Sequence, residues 1–592
     1  MKKKKKIIKK KLDFQPNLKN YRQVCSNFSW EKANQEIDYF DKDKKKLNLA
    51  YIAIDVNATN RRKNKTALYW EGAENEELKF TFWEMSLLSN QVGNVLKKLG
   101  VEKGDRVFLF LPRIPELYFS FLGIIKTGAI AGTLFAAFGP QALEDRLQNS
   151  AAKVLLTTKE LYPRVKKIKK NLPDLKKIIL IDQFNRKNFL EEKELINKKA
   201  ADGCLWFYPL LKKAGKELKI AKMKPADPAF MLYTSGTTGK PKGVIHQHQA
   251  IVHQKKSAQF VLDIKDKDLY WCTADPGWVT GIAYEILGTW ALGASTLVYQ
   301  GRFSPEKWYS LIEEYKVTVW YTAPTAIRML ASKGLKLVKK YNLSSLRHLA
   351  SVGEPLNPEA VYWGQKAFGL PFHDNYWQTE TGGIVIANYP SLDIKPGSMG
   401  KPLPGIKAAI INQQGKELQP GKEGNLALKP NWPSMMLKIW RRPKKYKSYF
   451  RKSFYITGDR AYQDKDGYFW FVGRSDDVIK TAGERVGPFE VESALVSHPQ
   501  IIEAGVIGKP DPMRGEIIKA FITLKKGTKA NKNFKEKIKQ YVKKHLAGHA
   551  YPREIEFVDR LPKTRSGKIM RRLLKAKELG QPLGDTSTIE EY

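Results

Sequence analysis

From Thr66 onward, apolar and polar positions follow two alternating rhythms. Runs such as Ala67-Leu68-Tyr69-Trp70, Leu78-Lys79-Phe80-Thr81-Phe82 and Arg106-Val107-Phe108-Leu109-Phe110-Leu111 have the length and the aromatic or β-branched content of strands. Between the second and third, Leu87, Leu88, Val92, Val95, Leu96 and Leu99 recur at helical spacing, predicting a helix from Trp83 to Leu99 with a stop at Gly100. The alternation continues with a strand from Ala129 to Leu134, a helix from Ala142 to Gln148 and a strand from Val154 to Leu156. After a lysine-rich, weakly periodic stretch comes a strand from Lys177 to Asp182. Leu117 to Phe138 is the most apolar region, but Lys126 and several glycines fall within it. It predicts a buried helix–strand unit, not a membrane span. A second series holds Tyr270-Trp271-Cys272, Thr296 to Tyr299, Val317 to Tyr321 and His348 to Val352. The prediction is an α/β fold of two halves with largely parallel sheets, whose ligands sit outside the strand ends.

The pattern then changes twice. From Gly397 to Val472, short alternating strands with Gly and Pro turns predict a small β-barrel capping the large domain. Ser475-Asp476-Asp477 is polar and hinge-like. Beyond it a helix from Pro488 to Ser497, strands from Ile502 to Lys509 and Ile517 to Leu524, a helix from Asn533 to Leu546 and a strand from Glu554 to Phe557 predict a compact α+β unit. The expected organisation is a basic disordered tail (1–13), an aromatic and charged extension packed on the main body (14–60), a large domain (61–475) and a small mobile C-terminal domain (476–592).

Charge adds one decision. The 592 residues carry 103 Lys+Arg against 60 Asp+Glu. The excess is spread along the whole chain and no nucleic-acid-binding signature accompanies it, so solvated faces are expected, not a nucleic-acid or membrane surface. Met1 to Leu12 has no apolar run after its lysines and does not read as a signal peptide. Cys25, Cys204 and Cys272 are scattered, with no C-x-x-C pair, which suits a reducing cytosol. A cytoplasmic protein is expected.

The chemistry concentrates after the apolar run Ala229 to Tyr233. There Thr234-Ser235-Gly236-Thr237-Thr238-Gly239-Lys240-Pro241-Lys242-Gly243 packs hydroxyls, glycines and lysines into ten positions. Glycines bring backbone N–H groups close to a ligand, and the hydroxyls and lysines suit a polyphosphate. The spacing is not that of the common P-loop, because Lys240 is followed by proline. Other candidates are weaker singly. Asp459, after a strand and a glycine, can accept two ribose hydroxyls, although alone it reads as a turn aspartate. Gly353-Glu354-Pro355 ends a strand and can present backbone to a base. Glu380 sits between hydroxyls and suits a Mg²⁺ that keeps most of its waters, or equally a helix start. Arg474 and Arg485 can clamp ribose and phosphate. Lys568 lies in a basic Ser-Gly loop and reads either as a mobile cation or as part of a basic run.

Together these strings resemble the adenylate-forming enzymes, the group of acyl-CoA synthetases, luciferases and peptide-synthetase adenylation domains. From Phe14-Gln15-Pro16-Asn17 to Arg572 the chain is similar to the acetyl-CoA synthetase branch. Cys272-Thr273-Ala274-Asp275-Pro276-Gly277-Trp278-Val279-Thr280-Gly281, Trp377-Gln378-Thr379-Glu380-Thr381-Gly382 and Pro562 through Arg572 carry that resemblance. It implies that Thr234 to Lys240, Gly353, Glu354, Pro355, Asp374, Asn375, Tyr376, Trp377, Gln378, Thr379, Asp459, Arg474 and Arg485 bind ATP and AMP. It also implies that Lys568 catalyses adenylation and that Asp476 is the hinge. Glu380 is the expected magnesium ligand. Val496, His498 and Ile501 match a further metal site, and Thr280, Gly483 and Lys543 match coenzyme A contacts.

The implied acyl pocket has Trp377 as its floor and Val279, Thr280 and Val352 as walls. An indole there leaves room for little more than acetate, because forcing in a longer chain costs about 1–3 kcal/mol of overpacking. The expected activity is acetate–CoA ligation with ATP, Mg²⁺ and coenzyme A. The alternative is a propionate or medium-chain ligase of the same family. The chain departs from long acetyl-CoA synthetases: no Arg-Gly-Gly-Arg patch lies between Pro112 and Lys159, and Ala482-Gly483-Glu484-Arg485 replaces a Ser-Gly-His-Arg string. It is more similar to a short acetate–CoA ligase subgroup. The resemblance also implies control by acylation of Lys568, with a lysine acetyltransferase and deacetylase as partners.

Overall fold

The structure is a computed structural model that describes residues 7–9, 14–40, 46–191, 193–194, 200–236, 239–475, 477–481, 484–546, 550–564, 569–583 and 586. The expectations for Thr237, Thr238, Asp476, Gly483 and Lys568 lie outside these residues. So do the side chains of Ser235, Lys240 and Arg485.

Two large sheets form the body. The first runs Lys438–Ile439, Gly239–Gln247, Pro228–Gly236, Ile130–Phe135, Arg106–Leu111, Val154–Thr158, Lys177–Ile181, Leu205–Trp206. From 228–236 to 205–206 it is parallel, and its other edge is antiparallel. The second runs Lys401–Pro402, Ile386–Ala387, Phe372–Tyr376, His348–Ser351, Val319–Thr322, Leu269–Cys272, Ser295–Tyr299, Thr66–Glu71, Glu77–Thr81, with a parallel centre. The fold is thus mixed α/β, as the alternating pattern predicts. One feature departs from the simple reading of two successive halves: strand Thr66–Glu71 joins the second sheet, parallel to Ser295–Tyr299.

The local signals act as expected. Thr81 opens helix Phe82–Lys98 with a capping box, its hydroxyl accepting the Glu84 N–H (3.2 Å) while Glu84 accepts the Thr81 N–H (2.7 Å). Helix Pro115–Lys126 is buried along its whole length. Lys126 is tolerated there because Asp55, 2.7 Å away, neutralises it and Asn90 accepts a second hydrogen bond at 2.9 Å. No helix among the described residues is long and apolar enough to cross a membrane.

Strands Ala408–Ile411, Glu423–Leu428, Phe450–Arg451, Phe454–Gln463 and Phe469–Arg474 make an antiparallel sheet where the small barrel was predicted. Its pairings do not close into a ring among the described residues. A fourth sheet, Glu484–Val486, Ile479–Thr481, Gly515–Leu524, Ile501–Asp511 with Glu554–Phe557, has its own core around Val491, Leu495, Val506, Ile522 and Ile538. Two contacts tie the residues before Thr66 to the body: the Trp30 indole donates to the Gly405 carbonyl (3.0 Å), and the Asn17 N–H to Asp263 (2.6 Å). Ile8 departs from the expected disordered tail. It is buried and forms a two-bond bridge with Ile394, because an isoleucine among lysines has an apolar cluster to enter.

Candidate active site

The candidate residues converge at the carboxyl ends of the second sheet's parallel strands. Strand His348–Ser351 ends at Val352 and turns through Gly353, whose φ of +97° is a left-handed conformation suited to glycine. Glu354 is then fixed by helix Pro324–Ser332: Thr325 donates to it at 2.9 Å and Arg328 at 3.1 Å. The neighbouring strand, Phe372–Tyr376, carries Asp374. Its carboxyl is buried and accepts the Leu356 N–H at 3.2 Å, so it braces the turn. Burial pushes its pKa well above the carboxylate range.

Around Asp459 the geometry is tighter. Tyr376 donates to its Oδ2 at 2.5 Å and Gln378 at 2.9 Å. Arg474, directly opposite on strand Phe469–Arg474, brings Nε within 3.2 Å of Oδ1. Gln378 is itself set by the Thr457 carbonyl (2.9 Å) and the Tyr455 hydroxyl (2.7 Å). Asp459 follows Gly458, at φ +78°, within the internal strand Phe454–Gln463 of the third sheet. Residues far apart in sequence are thus brought onto one carboxylate, nearly all of it buried.

Glu380 sits on the short 3₁₀ turn Thr379–Thr381. Lys242 lies 3.1 Å from its Oε1, and the Tyr449 hydroxyl donates to the same atom at 3.1 Å. Burial raises its pKa, but the Lys242 charge, a backbone N–H and Tyr449 outweigh that and hold it below the ordinary glutamate value. The carboxylate is therefore ionised at neutral pH. The turn is locked from behind: Trp432 and Ser434 donate to the Thr381 carbonyl at 2.9 and 2.7 Å, and Gln254 to the Gly382 carbonyl at 3.0 Å.

The string from Thr234 to Gly243 reads from its residues as a loop. It is instead the far end of a hairpin, strands Pro228–Gly236 and Gly239–Gln247, with Thr234 opposite Lys242 and Gly236 opposite Gly239. Threonine favours extended backbone, so strand pairing continues into the polar string. The hairpin register is what delivers Lys242 to Glu380.

Trp377 is half-buried. It packs against the apolar cluster that holds Val279 and against the one that holds Val352. Its Nε1 donates to the Tyr321 hydroxyl (3.3 Å), which donates in turn to Asn375 (2.7 Å). The Tyr284 ring meets it edge-on, centroids 5.1 Å apart. Thr280 opens the π-helical segment Gly281–Leu287 that carries Tyr284. Sequence reading missed Tyr284, Tyr321 and Tyr449. Their positions in apolar or aromatic runs carry no sign of the hydroxyl contacts they make.

The remaining candidates lie on the C-terminal unit. Val496 ends helix Pro488–Val496, and His498 and Ile501 follow on the turn into the next strand. The His498 ring packs edge-on to Tyr541 (4.8 Å) and Phe534 (5.6 Å). Among the described residues no cluster of three or more His, Cys, Asp or Glu is arranged to hold a metal. Lys543 is exposed on helix Lys532–His545 with its ammonium 5.5 Å from the centre of the Tyr551 ring. Arg485 lies in strand Glu484–Val486, paired with Lys480.

A family model described as AMP-binding enzyme matches residues 55–440, and one described as AMP-binding enzyme C-terminal domain matches residues 490–568. The chain belongs to the AMP-binding enzyme family. Within it, the chain is 54% identical to the acetyl-coenzyme A synthetase of Bacillus subtilis, over 97% of this chain and 98% of that protein. It is 43% identical to the acetyl-coenzyme A synthetase of Methanothrix thermoacetophila, over 92% and 85%. Among solved structures it is similar to an acyl-CoA synthetase of Brucella canis (34% identity, TM-score 0.73, 95% of this chain and 99% of that one). It is also similar to an anthranilate CoA ligase in complex with anthranoyl-AMP (33% identity, TM-score 0.82, 90% and 98%).

Proposed function

We propose that the protein is an acetate–CoA ligase that works in two steps. A carboxylate oxygen of acetate attacks the α-phosphorus of ATP and pyrophosphate leaves. The thiolate sulfur of coenzyme A then attacks the acyl carbon of acetyl-adenylate and AMP leaves. The observation that carries the choice of acid is Trp377, fixed by Tyr321 and Tyr284 between the clusters of Val279 and Val352. A propionate or longer-chain reading is disfavoured by that same ring.

The proposed roles draw on the contacts around Asp459, Glu380 and Gly353 and on the family resemblance of the remaining residues. Asp459, oriented by Tyr376, Gln378 and Arg474, accepts the ribose hydroxyls. The Gly353–Pro355 turn, braced from beneath by Asp374, faces the base. Lys242 and the hairpin tip receive the phosphates. Glu380 fits magnesium as a single ionised carboxylate, the usual anchor for an ion that arrives with phosphate oxygens and waters. When bound, the ion would neutralise phosphate charge. Lys568 supplies the cation at the reacting carboxylate and phosphate, and rotation about Asp476 brings Gly483 and the coenzyme A face to the same site. Acylation of Lys568 by a lysine acetyltransferase would remove that charge and stop the first step, and a deacetylase would restore it. A cytoplasmic location belongs to the same reading.

The test is pyrophosphate release by the purified protein with MgATP and coenzyme A, across acids from acetate to octanoate. The expected result is a preference for acetate that falls with each added methylene. A maximum at four or more carbons would refute the acid assignment and leave the two-step chemistry standing.

A further inference from the structure

The described residues on either side of Lys568 in the chain, 562–564 and 569–571, form a stem that an ion pair holds on each side. On one side Lys563 reaches Glu503 at 2.6 Å. On the other, Arg571 forms a two-pronged contact with Glu492: Nε to Oε1 at 2.7 Å, and Nη2 to Oε2. Glu492 also accepts the Val506 N–H at 2.9 Å, which ties the pair to strand Ile501–Asp511. A bridge between Lys563 and Ile569, with the Met570 N–H donating to the Pro562 carbonyl at 2.8 Å, closes the stem. The two-step chemistry above assigns no role to any of these ion pairs.

Arg571 faces more than its own unit. Its Nη1 lies 3.8 Å from Asp477, beside the expected hinge. Its guanidinium also feels the charge of Glu354 on the Gly353–Pro355 turn of the large body. Arg571, Glu492 and Ile569 line one cleft together with Glu354 and Pro355. Across that cleft the Asn357 amide donates to the Ser493 hydroxyl at 2.8 Å. Glu492 and Asp477 travel with the stem, whereas Glu354 does not. A rotation about residue 476 would keep the first two partners of Arg571 and remove the third.

We propose that Arg571 is a positioning residue for the adenylation step: clamped by Glu492 and facing Glu354, it sets how the Lys568 stem meets the nucleotide turn. This rests on the reading of Lys568 as the adenylation cation. Arginine suits the task because its planar fork saturates one carboxylate with two nitrogens and still presents a third. The three carboxylates belong to helix Pro488–Val496, the segment beside residue 476 and the Gly353–Pro355 turn, so one guanidinium couples all three. A lysine ammonium would serve one of them well at most.

The experiment separates the half-reactions. Acetate-dependent exchange of pyrophosphate into ATP reports the first, and acetyl-CoA formation from supplied acetyl-adenylate and coenzyme A reports the second. Arg571→Met should lower kcat for exchange by about ten- to a hundredfold, the scale of a small misplacement of a reacting group. Its KM for acetate should stay unchanged and its second half-reaction should stay near native. Arg571→Lys should recover part of the loss. Glu492→Gln, which keeps an acceptor for the Val506 N–H but loses the charge, should show the same split and stands in should Arg571→Met fail to fold. Equal loss of both half-reactions in these variants would mean a structural role only, and native exchange would mean none; either overturns the proposal. Lys568→Ala is the control. Full exchange in Lys568→Ala would sink the Lys568 reading, and with it this proposal's premise. Exchange lost in Lys568→Ala but kept in Arg571→Met and Glu492→Gln would sink this proposal alone.

Discussion

Trp377→Gly replaces an indole with space at the floor of the proposed acyl pocket and should invert the acid profile. In the native protein the ring is wedged edge-on against Tyr284 and tied to Tyr321 by a 3.3 Å hydrogen bond. Both tyrosines are fully buried and their hydroxyls are committed: Tyr284 accepts the Ile384 N–H at 2.7 Å, and Tyr321 donates to Asn375. The wall behind the ring therefore does not yield to a longer chain. Overpacking of about 1–3 kcal/mol corresponds to a fall of about five- to 150-fold in kcat/KM for a chain pressed against it. Once the ring is gone the sign changes. Each methylene taken from water into the new space gains about 0.8 kcal/mol, about fourfold per carbon, until the space is filled. Acetate loses its contact with the floor and should fall. Removing a fully buried tryptophan costs about 3–5 kcal/mol of stability, and this half-buried ring should cost less, so the fold is first confirmed by circular dichroism. The assay is kcat/KM from pyrophosphate release for acids of increasing length. An unchanged preference for acetate, with the same fall per carbon, would refute the pocket reasoning.

Three further outcomes follow from other parts of the site. Asp459→Asn removes the charge that Tyr376, Gln378 and Arg474 orient. Hydrogen bonds to charged groups are worth about 1.5–3 kcal/mol, so the KM for ATP should rise about ten- to a hundredfold with the acetate KM unchanged; equal effects on both substrates would contradict a ribose role. Gly382 has φ +67°, and a Cβ there would stand 2.1 Å from the Ser434 carbonyl oxygen. Gly382→Ala should therefore lower the melting temperature and displace Glu380, and a native melt with native activity would show that the turn relaxes freely. Burial holds His246 at about 4, His248 at about 3 and His253 at about 4. Unfolded histidine titrates near about 6.5, so the unfolded state binds the extra protons as pH falls below that value. Stability is then full above it and drains toward the depressed values at up to about 1.4 kcal/mol per pH unit for each ring. Denaturant melts between about pH 7 and about pH 5 should show a shallower slope in His248→Gln, and an unchanged slope would refute the assignment to that ring.

The strands and helices were legible because their cause is local: apolar runs, a capping box at Thr81, a glycine stop at Gly100. The site strings were legible because the residues proposed to bind one ligand are contiguous there. What escaped was contact between distant segments. Lys242 and Tyr449 stand 207 residues apart and meet only because a hairpin and the third sheet bring them to Glu380. Asp374 stands out from its string, but the bond its carboxyl accepts from the Leu356 N–H is not legible there. Tyr321 reads as one more apolar strand residue, yet its hydroxyl accepts from the Trp377 ring that is proposed to size the acyl pocket.

These misses have one physical form. The string names the groups proposed to meet substrate, while the groups that hold them in place come from elsewhere in the chain and have no pattern of their own. Glu354 illustrates the point. Its place in the turn follows from the sequence, but its direction is fixed by Thr325 and Arg328 on a distant helix. Geometry held by so many separated partners is sensitive to each of them. Substitutions at Arg328 should therefore disturb the nucleotide turn as surely as substitutions within it, with the ATP KM as the readout.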